Sequence, residues 1–414
     1  MKKKISALPV EQAQRIISEA VLPLGTTESM PLKAAFFRVL AEDITSRIDV
    51  PFQDNAAMDG YAFSATDLDL KSEQTLKITG SAFAGHRFEG IVAKGECVQI
   101  MTGGAMPDGC DTVVQQENVT ISDTTIAIPA ASIATGENVR LRGEDVKVGE
   151  TCLKAGSLLK PAHIGLLASL GLAEVQVRKR PKVAIFSTGD ELCPVSSPLP
   201  PGGIYDSNRY SLYGMIKRLG CDVWDMGIVK DDPALIRAAF IKAAKEADAI
   251  ITTGGVSVGA ADHTRDVLSR LAKIAFSEVN MRPGRPMVFG QIHSDERQTC
   301  VFALPGNPVA VMTTFYFFVR DALCYLMGTR APLLPRMQVK ILSPLAKRRG
   351  RTEFQRGILS PTEQGDWAVR STGPQGSAML SSMTQANCMI VLPADRDAVT
   401  AGETVEIVLF DGLV

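Results

Sequence analysis

The sequence is poor in the side chains that usually bind transition metals. It has four histidines, none of them paired at the spacing of a zinc site. Its eight cysteines are scattered without a CxxC pair, so the pattern predicts free thiols and neither a zinc knuckle nor a redox pair. If the protein uses a metal ion, we therefore expect carboxylates to hold it.

An excess of one charge is also absent. With 44 Lys and Arg against 45 Asp and Glu, the net charge of −1 offers no general attraction for nucleic acid or for an anionic membrane. The basic start, MKKK, is not followed by an apolar segment, and no run of about 18 apolar residues occurs. We therefore expect a cytoplasmic protein that binds any anion locally.

What the chain does have is the length for several domains, at 414 residues of which 45% are hydrophobic. Helical spacing of apolar residues predicts two short helices at 9–21 and 31–40 and a third at 161–171. The division that we predict is a helical and linker body formed by 1–44 plus 146–179, an inserted β-rich module at 45–145, an α/β domain at 180–328 and an all-β domain at 329–414. The expected fold class is multidomain α/β and β.

The α/β pattern is clearest after residue 180. Apolar runs at 182–187, 222–228 and 249–253 alternate with amphipathic helices at 208–219 and 233–245, which predicts a parallel sheet with both faces covered. Two further strands are predicted at 286–291 and 300–304, and a long apolar helix at 308–326.

Four of the strand ends carry polar or glycine-rich motifs. They are STGDEL at 187–192, VKDD at 229–232, TTGGVSVGAAD at 252–262 and LPGNP at 304–308. Ligands of open α/β sheets bind beyond the carboxyl ends of the strands. Gly254 and Gly255 would let an anion approach the backbone, whereas the nearby carboxylates would repel it unless a cation such as Mg²⁺ lies between them. The motifs together favour metal-assisted chemistry on a phosphate-containing ligand.

Each motif also has a purely structural interpretation. STGDEL and DDP could be helix caps, LPGNP could be a tight turn with Asn307 as an N-cap, and TTGGVSVG could be a turn. Arg282 and Arg285 in RPGRP could bind an oxyanion or simply be solvated, and the same choice applies to the charged segment 347–351 with Arg356.

Six motifs in order make the chain resemble a known family. DNAAMDGYA (54–62), MTGGA (101–105), RGED (142–145), STGDEL, TGGVSVG (253–259) and LPGNP are similar to those of the bacterial molybdopterin molybdenumtransferases, whose animal relative is the C-terminal domain of gephyrin. The resemblance covers essentially the whole chain. It implies a doubly wound three-layer α/β domain of the molybdopterin-binding type and a small β-barrel-like domain at the C-terminus.

The resemblance also implies an activity. Such enzymes take adenylylated molybdopterin and molybdate, cleave the adenylate in a Mg²⁺-dependent step, release AMP and leave molybdenum on the dithiolene. Family members are elongated homodimers in which the β-rich module of one subunit closes the α/β site of the other. An upstream molybdopterin adenylyltransferase is a further candidate partner.

Site residues are implied position by position. The catalytic candidates are Asp59, Glu191, Asp231 and Asp262, and the metal candidates are Asp190, Glu191, Asp231 and Asp262. The ligand-binding candidates are Thr102, Asp145, Ser187, Thr188, Gly189, Gly254, Gly255, Ser257, Arg282, Arg285, Pro305, Gly306, Asn307, Pro308, Arg356 and Ser377. Of these, Asp59, Thr102 and Asp145 are expected to face the partner's site. The chain departs from the family at Arg282 and Arg285, where lysines are common, and a guanidinium offers a different hydrogen-bond geometry.

Two other functions compete with this one. Molybdopterin adenylyltransferases resemble residues 180–328 in fold and carry a similar Gly-Gly loop, but that activity leaves the segments before and after unexplained. A non-catalytic scaffold is compatible with the relation to gephyrin, although the acidic motifs of this chain are intact.

Overall fold

A computed structural model of the chain describes residues 7–256, 263–294 and 297–410. The chain forms two compact units. Unit 1 comprises Met1–Ser29, Phe37–Ala41 and Gln176–Val414, and unit 2 comprises Met30–Phe36 and Glu42–Val175. Unit 2 is thus inserted into the sequence of unit 1, and the four-segment division, with its β-rich insert at 45–145, stays a prediction.

The helices of the described residues are α1 (Val10–Ala20), α2 (Pro161–Ser169), α3 (Ser207–Arg218), α4 (Pro233–Glu246), α5 (His263–Leu271), α6 (Pro308–Thr314), α7 (Arg320–Leu326) and α8 (Ser381–Gln385). Two short 3-10 helices lie at Leu32–Ala34 and Gln116–Asn118, and a π-helical turn at Phe315–Val319 joins α6 to α7.

The strands are β1 (Thr27–Pro31), β2 (Ile44–Thr45), β3 (Asn55–Ala56), β4 (Gly60–Phe63), β5 (Gln74–Ala82), β6 (Glu96–Ile100), β7 (Thr112–Gln115), β8 (Thr120–Ser122), β9 (Thr125–Ile128), β10 (Val139–Arg140), β11 (Thr151–Leu153), β12 (Glu174–Arg178), β13 (Lys182–Thr188), β14 (Leu192–Cys193), β15 (Ile204–Tyr205), β16 (Asp222–Val229), β17 (Ala249–Thr253), β18 (Lys273–Glu278), β19 (Met281–Arg282), β20 (Pro286–Ser294), β21 (Arg297–Leu304), β22 (Arg336–Ile341), β23 (Thr352–Pro361), β24 (Trp367–Ser371), β25 (Cys388–Leu392) and β26 (Thr404–Leu409).

The principal sheet of unit 1 has the order β16-β13-β17-β21-β20-β18. Its first four strands are parallel, which confirms the α/β alternation predicted from the sequence. The last two strands extend the sheet in antiparallel fashion, because β20 and β21 form a hairpin and β18 pairs with β20. Helices α4 and α5 contribute Phe240 and Leu268 to the apolar core that covers one face.

The long helix predicted at 308–326 is present as α6, the π turn and α7. The helix is long and apolar enough to cross a membrane, but 89% of its apolar stretch is buried inside the protein. It is therefore a core helix of unit 1, consistent with the buried side chains of Phe315 and Phe318.

The C-terminal part of unit 1 is a barrel. Strands β23, β24, β22, β26 and β25 pair in that order, and a further pairing of β23 with β25 closes the ring. Its interior is filled by the buried side chains of Ile341, Val369, Ile390 and Ile407. This confirms the small β-barrel-like domain, although the sequence pattern did not reveal β23.

Unit 2 is built on a six-stranded sheet of order β7-β4-β6-β5-β9-β8. Successive residues of β4 alternate between two buried clusters, with Ala62 in one and Tyr61 and Phe63 in the other. Because neighbouring side chains of a strand point to opposite faces, both faces of this sheet are covered.

One predicted helix is wrong. Residues 31–40 do not form an amphipathic helix, since only Leu32–Ala34 make a 3-10 turn before the chain extends again. Phe37 has a φ of 56°, a left-handed conformation that stops a right-handed helix. The predicted helices at 9–21 and 161–171 are confirmed as α1 and α2.

Candidate functional site

The order of the parallel strands predicts where a ligand would bind. From β13 the chain continues to β16 on one side and then to β17 on the other, so the connections diverge at the carboxyl ends of β13 and β17. Such a switch point opens a crevice in α/β sheets. A cavity of about 1050 Å³ lies there, lined by residues that follow β13, β17 and β21 and by the segments 204–208, 281–286 and 375–378.

Two glycines after β17 bring bare backbone to this crevice. Gly254 has a φ of 89°, and a Cβ atom on it would lie 2.2 Å from the carbonyl oxygen of Thr188. Gly255 has a φ of 62°, and its Cβ would lie 2.4 Å from Oγ1 of Thr264. Only glycine satisfies both the conformation and the space. Both residues line the cavity, together with Thr188 and Gly189.

Hydroxyl groups beneath the glycines hold the strand ends together. Oγ of Ser187 lies 3.1 Å from Oγ1 of Thr253, and Oγ1 of Thr188 donates to the carbonyl of Thr253 over 3.4 Å. Ser187 is fully buried and does not line the cavity. The side chain of Ser187 thus supports the strand end from below, whereas Thr188 and Gly189 line the cavity.

Carboxylates meet at the ends of β13 and β16. The backbone N–H of Asp231 donates to Oδ1 of Asp190 over 3.2 Å, and both Glu191 and Asp231 line the cavity. Burial raises the pKa of Asp231, and the charges of Asp190 and Glu191 raise it further, against an opposing effect of His263. Oδ1 of Asp231 is buried without a hydrogen-bond donor among the described residues.

The adjacent carboxylate has another task. Asp232 is the N-cap of α4, where its Oδ1 accepts hydrogen bonds from the N–H groups of Ala234 and Leu235 at 2.8 and 3.0 Å. Pro233 occupies the first helical turn. The DDP segment therefore combines a helix cap with a cavity carboxylate.

These acids fit a cation with few protein ligands. Within the parts of the chain that the structure describes, no group of three or more His, Cys, Asp or Glu side chains is arranged to hold a metal ion. Mg²⁺, however, commonly takes one or two carboxylates and completes its shell with water and phosphate oxygens. Glu191 suits that role, as does Oδ1 of Asp231, which accepts no hydrogen bond from a described residue. Asp262 and Ser257, also predicted here, lie outside the described residues.

The LPGNP turn after β21 forms a further part of the cavity wall, next to Gly254. Pro305, Gly306, Asn307 and Pro308 all line the cavity. Asn307 occupies the N-cap position of α6 but does not cap it with its side chain. Its Nδ2 instead donates to Oγ of Ser377 over 2.9 Å, so the turn is tied to a loop of the C-terminal barrel.

Three arginines border the cavity. Arg282 and Arg285 lie on the predicted RPGRP loop, and Arg351 comes from the charged segment that precedes β23. Each of the first two contacts a carboxylate. Nη2 of Arg285 lies 3.0 Å from Oε2 of Glu278, and Nη1 of Arg282 lies 3.6 Å from Oε1 of Glu353.

Arg356 does not line this cavity. Its side chain is fully buried, and its guanidinium donates to Oγ of Ser382 and to the carbonyls of Gln375 and Gly376 at 2.9, 3.3 and 2.9 Å. Burial lowers the pKa of Arg356 to about 10. The residue thereby fixes the loop that presents Ser377 to the cavity.

The remaining predicted residues lie in unit 2. Oδ1 of Asp59 accepts hydrogen bonds from the backbone N–H and from Oγ1 of Thr102, both at 2.7 Å. These bonds lower the pKa of Asp59 and keep it ionised. Asp145 is exposed, and its N–H donates to the carbonyl of Val50.

Sequence reasoning missed the segment 204–208, which lines the cavity with Tyr205, Asp206 and Asn208. Asp206 is the N-cap of α3, and Nδ2 of Asn208 donates to the carbonyl of Gly306 over 2.7 Å. The sequence signal for this segment is the polar stretch 206–208, which is typical of a helix N-cap. Such a stretch indicates where a helix begins and does not by itself indicate a ligand.

Comparison with known proteins places these features in a family. Three family profiles match in order: the MoeA N-terminal region (domain I and II) over residues 8–171, a probable molybdopterin binding domain over 184–324, and the MoeA C-terminal region (domain IV) over 338–410.

Similar full-length proteins are also known. The chain is 41% identical to a molybdopterin molybdenumtransferase of Haemophilus influenzae, over 98% of this chain and 100% of the relative, and 36% identical to one of a Nostoc species, over 92% and 88%. The crystal structure of a molybdopterin biosynthesis moeA protein from Pyrococcus horikoshii superposes with a TM-score of 0.84 at 30% identity, covering 98% of this chain and 100% of that one. The chain therefore belongs to the molybdopterin molybdenumtransferase family of molybdenum cofactor biosynthesis.

Proposed function

We propose that this transferase inserts molybdate into adenylylated molybdopterin in a Mg²⁺-dependent step and releases AMP. The observation that carries the proposal is the shared rim of the cavity, where the bare backbone of Gly254 and Gly255 adjoins the carboxylates of Glu191 and Asp231. Glycine backbone suits phosphate oxygens, whereas the acids would repel them in the absence of a cation.

Each part of the rim has a role in this scheme. The N–H groups around Gly189 and Gly255 bind the phosphates of the substrate, while Pro305, Gly306, Asn307 and Pro308 shape the wall next to Gly254. The carboxylates of Glu191 and Asp231, with Asp190 and Asp262, would hold Mg²⁺, which supplies Lewis-acid stabilisation of the phosphate charge when bound. Water attacks one phosphorus of the pyrophosphate, which breaks the bridging P–O bond and gives AMP and the phosphate of molybdopterin. The two dithiolene thiols then bind molybdate, and their two protons leave with one of its oxygens as water.

The arginines provide the oxyanion subsite in this proposal. Arg282 and Arg285 lie on one loop of the cavity wall, and planar guanidinium groups bind oxyanions through two parallel hydrogen bonds. Arg356, which is buried, contributes by fixing the loop of residues 374–376.

Unit 2 would serve a second subunit. We propose a cytoplasmic homodimer in which Asp59, Thr102 and Asp145 of one subunit complete the site of the other, and which receives its substrate from a molybdopterin adenylyltransferase. The support is the ionised Asp59, which its two bonds to Thr102 hold in one orientation at the surface of unit 2.

The test is to incubate the purified protein with adenylylated molybdopterin and molybdate and to measure the release of AMP. AMP should appear only with both substrates and Mg²⁺, and Glu191→Ala should abolish it. Turnover in metal-free buffer with a chelator would remove the cation from the mechanism. Formation of adenylylated molybdopterin from molybdopterin and ATP would favour the adenylyltransferase activity, and undiminished cofactor assembly by Glu191→Ala would favour a scaffold.

A further inference from the structure

A second cavity adjoins the main one in unit 1. It has a volume of about 370 Å³ and shares Arg282, Pro283, Gln375 and Gly376 with the main cavity. Glu353 lies in its lining and is only 5% exposed. The buried carboxylate of Glu353 thus lies next to Arg282, the arginine to which the oxyanion would bind.

The two arginines of the RPGRP loop are held differently. Arg285 makes two contacts with Oε2 of Glu278, from Nε at 3.1 Å and from Nη2 at 3.0 Å. Arg282 approaches Oε1 of Glu353 through Nη1 alone, at 3.6 Å, which is longer than a hydrogen bond, and its side chain is 62% exposed. The guanidinium of Arg282 therefore remains available to an anion, whereas that of Arg285 is already fixed.

Glu353 cannot easily move away from this arginine. Strands β19 and β23 pair in parallel, and Arg282 and Glu353 are register partners in that ladder. The other carboxylate oxygen of Glu353 accepts a hydrogen bond from Nε2 of Gln355 at 3.0 Å. An anion that binds Arg282 must therefore do so beside a fixed negative charge.

We propose that Glu353 competes with the oxyanion for Arg282 and so limits the affinity of this subsite for free oxyanions. The inference rests on the proposed oxyanion role of Arg282. Its physical basis is that the carboxylate partly neutralises the guanidinium of Arg282 and so weakens its attraction for a second anion. A free oxyanion then binds weakly by itself, and stays only where the other groups of the cavity add contacts. Glu353 is a specificity residue in this sense and takes no part in bond cleavage.

The test is equilibrium binding of molybdate, with sulfate as a second probe, to the full chain without molybdopterin, measured by calorimetry. Glu353→Gln should bind both oxyanions about three- to fivefold more tightly, the size expected for a half-exposed ion pair. Arg282→Ala should weaken binding. In the Arg282→Ala background, Glu353→Gln should change the affinity less than about twofold, because Glu353 then has no guanidinium to neutralise. The four proteins form a double-mutant cycle, which measures the coupling between the two residues. Glu363→Gln, an exposed acid of the barrel, is the matched control and should change nothing.

Glu353→Asp is the second variant, and is used if the glutamine variant fails to fold. It keeps the charge but withdraws it from Arg282, so a smaller increase in affinity is expected. Unchanged or weaker binding by a folded variant would overturn the inference, as would an equal increase in the Arg282→Ala background. If Arg282→Ala leaves molybdate binding intact, the oxyanion role of Arg282 itself falls, and with it the competition.

Discussion

Two neighbouring aspartates show how far identical side chains can differ in their roles. Asp232 accepts hydrogen bonds from two backbone N–H groups at the start of α4. Oδ1 of Asp231 is buried near the carboxylates of Asp190 and Glu191 and accepts no hydrogen bond from a residue that the structure describes. Functional sites often retain groups that cost stability. Asp231 fits that description.

We predict that Asp231→Asn abolishes AMP release but slightly stabilises the fold. The pKa of Asp231 is raised in the folded protein, so its ionised form is disfavoured there at neutral pH. That cost begins to shrink as the pH falls to the raised pKa and the folded carboxyl takes up a proton, and it is gone below the ordinary pKa of 3.8. Removing the charge should raise Tm at pH 7 by about 1–2 °C, the equivalent of less than about 1 kcal/mol.

The measurement is thermal unfolding of both proteins at pH 7 and at pH 4, close to the ordinary aspartate pKa of 3.8. The gain of the Asn variant over wild type should shrink at the lower pH. A variant that melts well below wild type at pH 7 would show that Asp231 contributes to stability instead.

We predict that Gly254→Ala destabilises the protein by about 2–4 kcal/mol and removes activity. The substitution places a Cβ atom 2.2 Å from a backbone carbonyl at a residue with a φ of 89°. Gly214→Ala in α3 is the matched control, since nothing lies within 4 Å of its Cβ, and it should stabilise by about 0.5–1 kcal/mol. Chemical denaturation of the two variants checks both values. Normal stability of Gly254→Ala would mean that the turn readily rearranges.

At the scale of elements, the cap of α4 can be separated from the site beside it. Asp232→Ala removes the acceptor of two N–H groups at the helix start, which should cost about 1 kcal/mol in the free energy of unfolding. Because the cap carboxylate does not line the cavity, the Michaelis constant for adenylylated molybdopterin should stay within about twofold. Urea denaturation and steady-state kinetics measure the two effects. A large kinetic defect with unchanged stability would reverse the assignments of the two aspartates.

The sequence predicted elements well where apolar periodicity was strong and poorly where polar residues are buried. The strands at 182–187, 222–228 and 249–253 were located to within a residue or so. The first and third contain the unbroken apolar runs VAIF and AII, and the second is apolar apart from Asp222, Asp225 and Gly227. Strand β23 was missed because it buries Glu353, Gln355 and Arg356, which satisfy one another or nearby carbonyls. Only the tertiary structure supplies those partners.

The same limit applies to the site. Glycine and acid motifs at strand ends predicted the positions of Glu191, Asp231 and Gly254, since parallel strands bring their carboxyl ends together. The roles implied for Ser187 and Arg356 rested on the motif alone, and burial of both side chains depends on contacts far away in the sequence.

At the scale of the whole molecule, the proposed dimer gives a test that needs no structure of the complex. Mixing Asp59→Ala and Glu191→Ala proteins should restore about a quarter of wild-type activity, because half of the randomly exchanged dimers are mixed and each has one unmutated site of two. AMP release after verified subunit exchange is the measurement.

The control pairs two variants of the same unit. Mixing Glu191→Ala with Asp231→Asn should restore nothing, since every site then contains a mutated unit 1. Recovery in this control, or its absence in the first mixture, would contradict a site shared between subunits.

The hydrogen bond from Asn307 to Ser377 joins the turn after β21 to a loop of the barrel, and both residues line the main cavity. A guest that touches both walls binds only when the α/β sheet and the barrel are both folded, so it stabilises the two together. Saturation with substrate should therefore raise the Tm of unit 1 in calorimetry, by an amount that grows with substrate concentration.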